Sequence, residues 1–305
     1  MIAAGTGLAV GGTVDNAALE ASLQAVERSG TDRADLALVF VTGDAYARAH
    51  EALHAVRRVT GAPVVLGCSG TGILTERREV EEELAVAVLV VRCERLVATP
   101  FSFERQGERR DLGTELAQKI GSTVAEGGCV LVLPDAMGCN PPSLLTQAIR
   151  ANPDTEARIR DAGVFAGLAM DPAKSPLERG DFLVRNLVGA DQSSGALAVA
   201  ERVRVGQTLQ FQIRDAQASR EDLREMLDEL VERLNGRRPA FGCYFDCAGR
   251  GRGLFGVPDH DVTLIRERLG EFPLIGFFGN GEFAPIGRRN FFHNYTGALV
   301  IFPED

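Results

Sequence analysis

The side chains best able to do chemistry crowd into residues 241–296. Gly249, Gly251, Gly253 and Gly256 leave exposed backbone N–H groups that could cradle an anion. Arg250 and Arg252 add forked donors suited to a carboxylate or a phosphate. Cys247 lies just before them, and Gly279-Asn280-Gly281 leads into Glu282, a carboxylate able to accept an amino group. His293, Asn294, Tyr295 and Thr296 are four polar groups entering a strand, more than a strand start needs. A smaller concentration is Gly67-Cys68-Ser69-Gly70-Thr71-Gly72. The candidate ligand contacts are therefore Cys68, Ser69, Cys247, Arg250, Gly251, Arg252, Gly279, Asn280, Gly281, Glu282, His293 and Tyr295. No catalytic residue and no metal ligand is expected.

Several sharper readings are weaker than this one. Gly251-x-Gly253-x-x-Gly256 satisfies a dinucleotide pattern, but Pro258 and Asp259 delay the helix that must open on the last glycine. In the 67–71 turn Thr71 replaces the last glycine of a nucleophile elbow, and no histidine is paired by sequence with Ser69. A Cys68, Ser69 or Cys247 nucleophile acting on a small carbonyl or ester remains the enzyme alternative. Cys243 and Cys247 have no second cysteine pair to complete a zinc site. His50 and His54, one helical turn apart without an accompanying Glu motif, read as a helix surface. Asp135 and Cys139–Pro142 follow a strand, where a ligand-facing loop and an ordinary capped turn look alike.

The elements that must position these groups alternate between helix and strand. Helical spacing predicts helices over Asn16–Ser29, Asp44–Val59, Leu112–Ile120, Ser143–Ala151 and Asp261–Leu269, with a longer one capped by Ser219 and running to Leu234. Apolar runs predict strands at Asp35–Val41, Ala62–Leu66, Leu84–Val91, Cys129–Leu133, Phe182–Val188, Gly195–Val199, Thr208–Ile213, Ala240–Phe245, Leu274–Phe278 and Gly297–Phe302. Glu79–Glu83 reads as an acidic turn. A strand followed by G-x-x-G-x-G occurs at 63–72 and again, with one residue gapped, at 273–281. Each copy follows a strand and a helix, which suggests a duplicated α/β unit. The expected architecture is α/β: two pseudo-repeated halves, 1–160 and 161–305, with mixed sheets around a central cleft lined by the glycine turns.

Composition narrows the partners. The 305 residues carry 42 acidic against 33 basic side chains, a formal charge of -9, so nucleic acid and anionic membrane are poor expectations. No apolar run approaches the roughly 20 residues of a spanning helix, and Met1–Gly12 has no leader-like charge or cleavage site. Six cysteines in a chain of this length imply no disulfide framework, so they are read as reduced and the protein as cytoplasmic.

The chain resembles the FIST family of bacterial sensory proteins. The resemblance runs through AGTGLAVGG, DLALVFVTGD, APVVLGCSGTGIL and VAVLVV in the first half. In the second it runs through GDFLVRNLVGAD, VGQTLQFQIRDA, FDCAGRGRGLFG and PLIGFFGNGEFAPIGRRNFFHNYTGALVIF. It implies a small-molecule sensor in signal transduction, with an amino acid or similar carboxylate metabolite as ligand and a downstream signalling partner that the sequence does not name. No cofactor is expected, although some relatives are described as haem-binding nitric oxide sensors; His293 is the axial-ligand candidate for that alternative. One departure is that the interval between 129–151 and 180–186 is shorter than relatives usually show.

Overall fold

Alternation along the strands decides the architecture. The structure is a computed structural model that describes residues 2–100, 129, 131, 133, 164–171, 173–191, 194, 196–286 and 289–304. Strands β1 (Ile2–Val10), β2 (Leu36–Thr42), β3 (Val64–Gly70) and β6 (Ala85–Cys93) form a sheet in the order β1-β6-β2-β3. In it β2 and β3 run parallel and the other pairs antiparallel. On one face Val39, Val41, Val86, Val88 and Val90 pack against α1 (Val14–Ser29) and α2 (Ala49–Thr60). Alanines on α1 let the helix lie directly on β1: a Cβ on Gly7 would come within 1.9 Å of the Ala21 carbonyl oxygen.

The second sheet has the order β15-β11-β12-β4-β5. Its strands are β4 (Gly72–Thr75), β5 (Glu79–Glu81), β11 (Pro239–Cys247), β12 (Leu274–Gly279) and β15 (Gly297–Pro303). Here β11 and β12 are parallel and β15 is antiparallel to β11. Leu74, Tyr244, Leu274 and Phe278 point to α3 (Ala216–Leu234) and α5 (His260–Leu269), meeting Leu223, Leu227, Val262 and Ile265. Ile73, Phe241, Cys243 and Ile275 point the other way, onto Leu38, Phe40 and Leu89 of the first sheet. The layers are thus helices, sheet, sheet, helices. The space between the sheets is filled by this core, with Phe40 and Phe277 ring centroids 4.9 Å apart and Phe245 5.3 Å from Phe277.

A third, antiparallel sheet has the order β10-β7-β8-β9, from β7 (Val164–Ala169), β8 (Phe182–Asp191), β9 (Ala196–Val199) and β10 (Leu209–Ile213). A hairpin joins β13 (Glu282–Ile286) to β14 (Arg289–His293). The short helix α4 (Gly251–Phe255) occupies the arginine-glycine stretch. The α/β class with mixed sheets is as expected.

Three local expectations need correction. Residues 79–81 form β5, paired with β4, rather than part of a turn, because alternate Val80 is buried between the sheets. The cap of α3 is Asp215, whose Oδ1 accepts from the Ala218 N–H at 2.7 Å, so the helix begins before Ser219. A 3-10 turn over Gly43–Arg48 precedes α2, where one continuous helix was expected. The expected elements at 112–120, 129–133 and 143–151, the 135–142 motif and the boundary near 160 lie wholly or mostly outside the described residues.

Candidate functional site

The buried charges gather at the carboxyl end of β11. Tyr244 and Asp246 continue the face of β11 that looks at the helices, so the strand delivers a phenol and then a carboxylate under the starts of α4 and α5. Asp261, in the first turn of α5, is the hub. Its Oδ2 accepts from Tyr244 Oη at 2.9 Å and from Arg250 Nε at 3.0 Å. Arg250 Nη2 is also 2.9 Å from that oxygen, and Arg250 Nε is 3.0 Å from Asp246 Oδ1. Arg220 Nε donates to His260 Nε2 at 2.9 Å, so that nitrogen is an acceptor and Nδ1–H donates to Asp261 Oδ1 at 2.7 Å. Phe255 stacks on His260 with centroids 3.6 Å apart, closing the cluster from above.

The first half of the chain reaches into this cluster through β5. Glu79 Oε1 accepts from the backbone N–H groups of Asp261 and Val262, both at 3.0 Å, and Glu79 N–H donates to Asp259 Oδ1 at 2.7 Å. Glu81 Oε1 accepts from Arg252 N–H at 2.9 Å. Gly251 has φ +54, and a Cβ there would sit 2.8 Å from the Glu81 carboxylate oxygens. The anion held by the glycine-rich stretch is therefore the chain's own Glu81.

Carboxylates outnumber the buried cations here, and burial shows in their protonation. Burial pushes Glu79 up from 4.5 to about 7, with Asp261 and Asp259 adding to the rise. Burial pushes Glu282 up from 4.5 to about 8. Asp246 is raised well above the carboxylate range by burial and then by Asp261. Asp261 goes the other way: burial opposes its charge, but the bonds from His260, Arg250 and Tyr244 hold it low. Glu79 Oε2, Asp246 Oδ2 and Glu282 Oε1 are buried with no hydrogen-bond partner.

The sequence-derived candidates fall into two groups. Cys247, Gly279 and Glu282 meet at the end of β11. Cys247 pairs with Gly279 across the parallel ladder and donates its N–H to the Thr296 carbonyl, and Thr296 Oγ1 donates to Glu282 Oε2 at 3.0 Å. Glu282 is 4% exposed and pairs with His293 across the β13–β14 hairpin. Tyr295, at φ +62, donates its hydroxyl to Asn186 Oδ1 at 2.7 Å. A Cβ on Gly281 would strike the Phe292 ring, and Asn280 is exposed. Arg250 is buried, with Nε and Nη2 committed to Asp246 and Asp261, whereas Arg252 is exposed. His293 is buried and its Nε2–H donates to the Ala284 carbonyl at 3.2 Å, so as placed that nitrogen is not offered to a haem iron.

Cys68 and Ser69 lie on β3, in the other sheet, opposite Phe40 and Val41, and the turn after them reaches the end of β12, where Thr71 N–H donates to the Phe278 carbonyl at 3.0 Å. Burial pushes the Cys68 thiol up to about 12, and it raises the Cys247 thiol as well. Both are thereby held as thiols, the poorly nucleophilic form. The five cysteines among the described residues are free, and no cluster of His, Cys, Asp and Glu there could hold a metal ion. No described helix is long and apolar enough to cross a membrane. A cavity of about 190 Å³ lies at the amino end of β11, away from the charge cluster, lined by Ile2, Cys93, Arg95, Leu96, Phe241 and Phe302 among others.

Sequence reasoning missed Glu79, Glu81, Asp246 and Asp261. Asp246 had a legible signal, since it continues the alternation Gly242, Tyr244 on the helix-facing side of a strand. Glu79 and Glu81 had none, because their partners lie about 170–180 residues away.

The FIST N domain model matches residues 35–174 and the FIST C domain model residues 144–285. An uncharacterized protein of Mycobacterium bovis is 28% identical over 382 aligned residues, covering 99% of each chain. An uncharacterized protein of Mycobacterium tuberculosis H37Rv is 30% identical over 382, covering 98% of this chain and 99% of its own. Those alignments are longer than the 305 residues here, so at least 77 aligned positions face a gap in this chain. The two domain models share residues 144–174, around the interval that the sequence shows as short.

Proposed function

We propose that this chain, which belongs to the FIST family, senses a small molecule for signal transduction and binds it at the carboxyl end of β11. FIST domains are associated with sensing in signal transduction. The finer reading is a ligand that carries an ammonium group, an amino acid or a related metabolite. The observation that carries it is Glu282: its Oε1 is buried without a partner, while Oε2 is held by Thr296. A buried polar atom left unpaired is costly, and an ammonium group is the partner that removes the cost most completely. Arg250 is neutralised within the fold, so the ligand's carboxylate is left to the exposed Arg252. The matching three-strand order β6-β2-β3 and β15-β11-β12 supports reading the halves as duplicated units.

A thermal-shift panel at pH 8.5 tests this, with glycine and larger amino acids, simple amines, organic acids, nucleotides and haemin. A native-state ligand at a hundredfold excess over its dissociation constant adds about 3 kcal/mol. The reading expects amino acids or amines to raise the melting temperature by several degrees. A shift with haemin alone, or with nucleotides alone, would replace it.

A further inference from the structure

The β4–β5 hairpin ties the two halves of the chain together. It belongs to the first half in sequence but completes the second sheet, with β4 laddered to β12 through four residue pairs. Its last strand places two carboxylates on one edge, Glu79 and Glu81, and each holds the start of a different helix of the second half. Those helices, α4 and α5, carry Arg250 at their boundary and His260 and Asp261 in their first turn, the groups that close the charge cluster. Left-handed backbone gathers at these same contacts: Glu82 at φ +62, Gly251 at +54 and Asp259 at +57. For Glu82 and Asp259 this conformation is uncommon and is sustained by surrounding contacts. At the hairpin tip Arg77 pairs with Glu271 on the exposed surface.

We propose that the β4–β5 hairpin is a latch: Glu79 and Glu81 hold the starts of α4 and α5 over the buried charge cluster, and its release uncovers that cluster. The inference rests on the sensor reading for its purpose, but not for its test. Glu79 is faced by Asp259, which caps α5, by Asp261 in its first turn and by Asp246 of β11, with Arg250 as the buried cation paired to Asp246 and Asp261 and Glu81 two residues along β5. In this crowd Glu79 keeps its proton to about pH 7, whereas in water a glutamate loses it near 4.5. The closed latch therefore binds that proton more tightly than the open one, so opening grows as pH rises.

Hydrogen exchange of the full chain, read by mass spectrometry and corrected for intrinsic rates, measures this opening at the amides of Glu79, Arg252, Asp261 and Val262. Linkage through Glu79 alone gives an opening constant about tenfold higher at pH 8.5 than at pH 6. Glu79→Gln keeps the side-chain acceptor and should reduce the rise in opening between pH 6 and pH 8.5, leaving only the part that Asp246 contributes. Glu79→Ala removes the acceptor and should raise opening at both values. The proposal is overturned if these amides open only with the ladder amides of β11 and β12, or if the pH dependence is undiminished in Glu79→Gln. An empty ligand panel with latch opening intact would sink the sensor reading and leave the latch standing.

Discussion

Two parts of this molecule are built alike and used differently. The units β2–α2–β3 and β11–α5–β12 each make a parallel pair with an antiparallel strand on the far side, β6 or β15. Both require a glycine where the parallel strands touch: a Cβ on Gly67 would lie 1.6 Å from the Val39 carbonyl oxygen, and one on Gly276 would lie 1.7 Å from that of Tyr244. Their helix-facing sides then diverge. The first presents Val39 and Val41 to alanine-rich helices. At the corresponding positions the second presents Tyr244 and Asp246 to Asp261, His260 and Arg250. Backbone constraint fixes the scaffold in both units, and two side-chain positions decide which one holds buried charge.

The largest test of this contrast removes the hub. Asp261→Ala leaves Arg250 and His260 without their main acceptor, and breaking a buried pair in this way costs about 3–5 kcal/mol. Val41→Ala, in the apolar unit, should cost about 2 kcal/mol, the lower end of large-to-small core changes. Chemical denaturation compares them, and equal costs would erase the distinction. Next, Gly67→Ala and Gly276→Ala should destabilise alike, by about 3 kcal/mol or more, since each forces a methyl onto a carbonyl. A harmless Gly276→Ala would mean that the two registers are not equivalent.

A smaller effect separates the units by pH. Glu79 and Glu282 are raised to about 7 and about 8 from 4.5, so the native state binds their protons more tightly than the unfolded chain does. Their contribution is complete below about pH 4.5 and is lost as pH rises to about 8. The melting temperature should therefore fall across that window, and the fall should shrink in Glu79→Gln and again in Glu282→Gln. A slope unchanged in both variants would assign it elsewhere.

Much of the scaffold was legible in the sequence because its signals are local. The β2, β6 and β12 runs, the α3 stripe of Leu223, Leu227 and Leu234, and the repeated glycine pattern all depend on neighbours a few residues apart. Strand β1 was not read, since Gly5 and Gly7 weaken a strand signal and are explained only by the helix lying on them. At the site, the sequence pointed to the stretch around Arg250 and Glu282 but could not show that Arg250 is spent on Asp246 and Asp261. Nor could it show that Glu81 fills the glycine-rich cradle, because that contact joins opposite halves of the chain.

On the proposed reading the ligand sits at the carboxyl end of β11, beside Glu282, and not at the glycine turn after β3. The most direct measurement is calorimetric titration, at pH 8.5, of the amino acid or amine giving the largest thermal shift into the wild type, Glu282→Gln and Ser69→Ala. The account predicts that Glu282→Gln loses at least tenfold in affinity while keeping its fold, and that Ser69→Ala binds as the wild type does. Unchanged binding in Glu282→Gln, with loss in Ser69→Ala, would move the site to the glycine turn of the first unit and contradict the account.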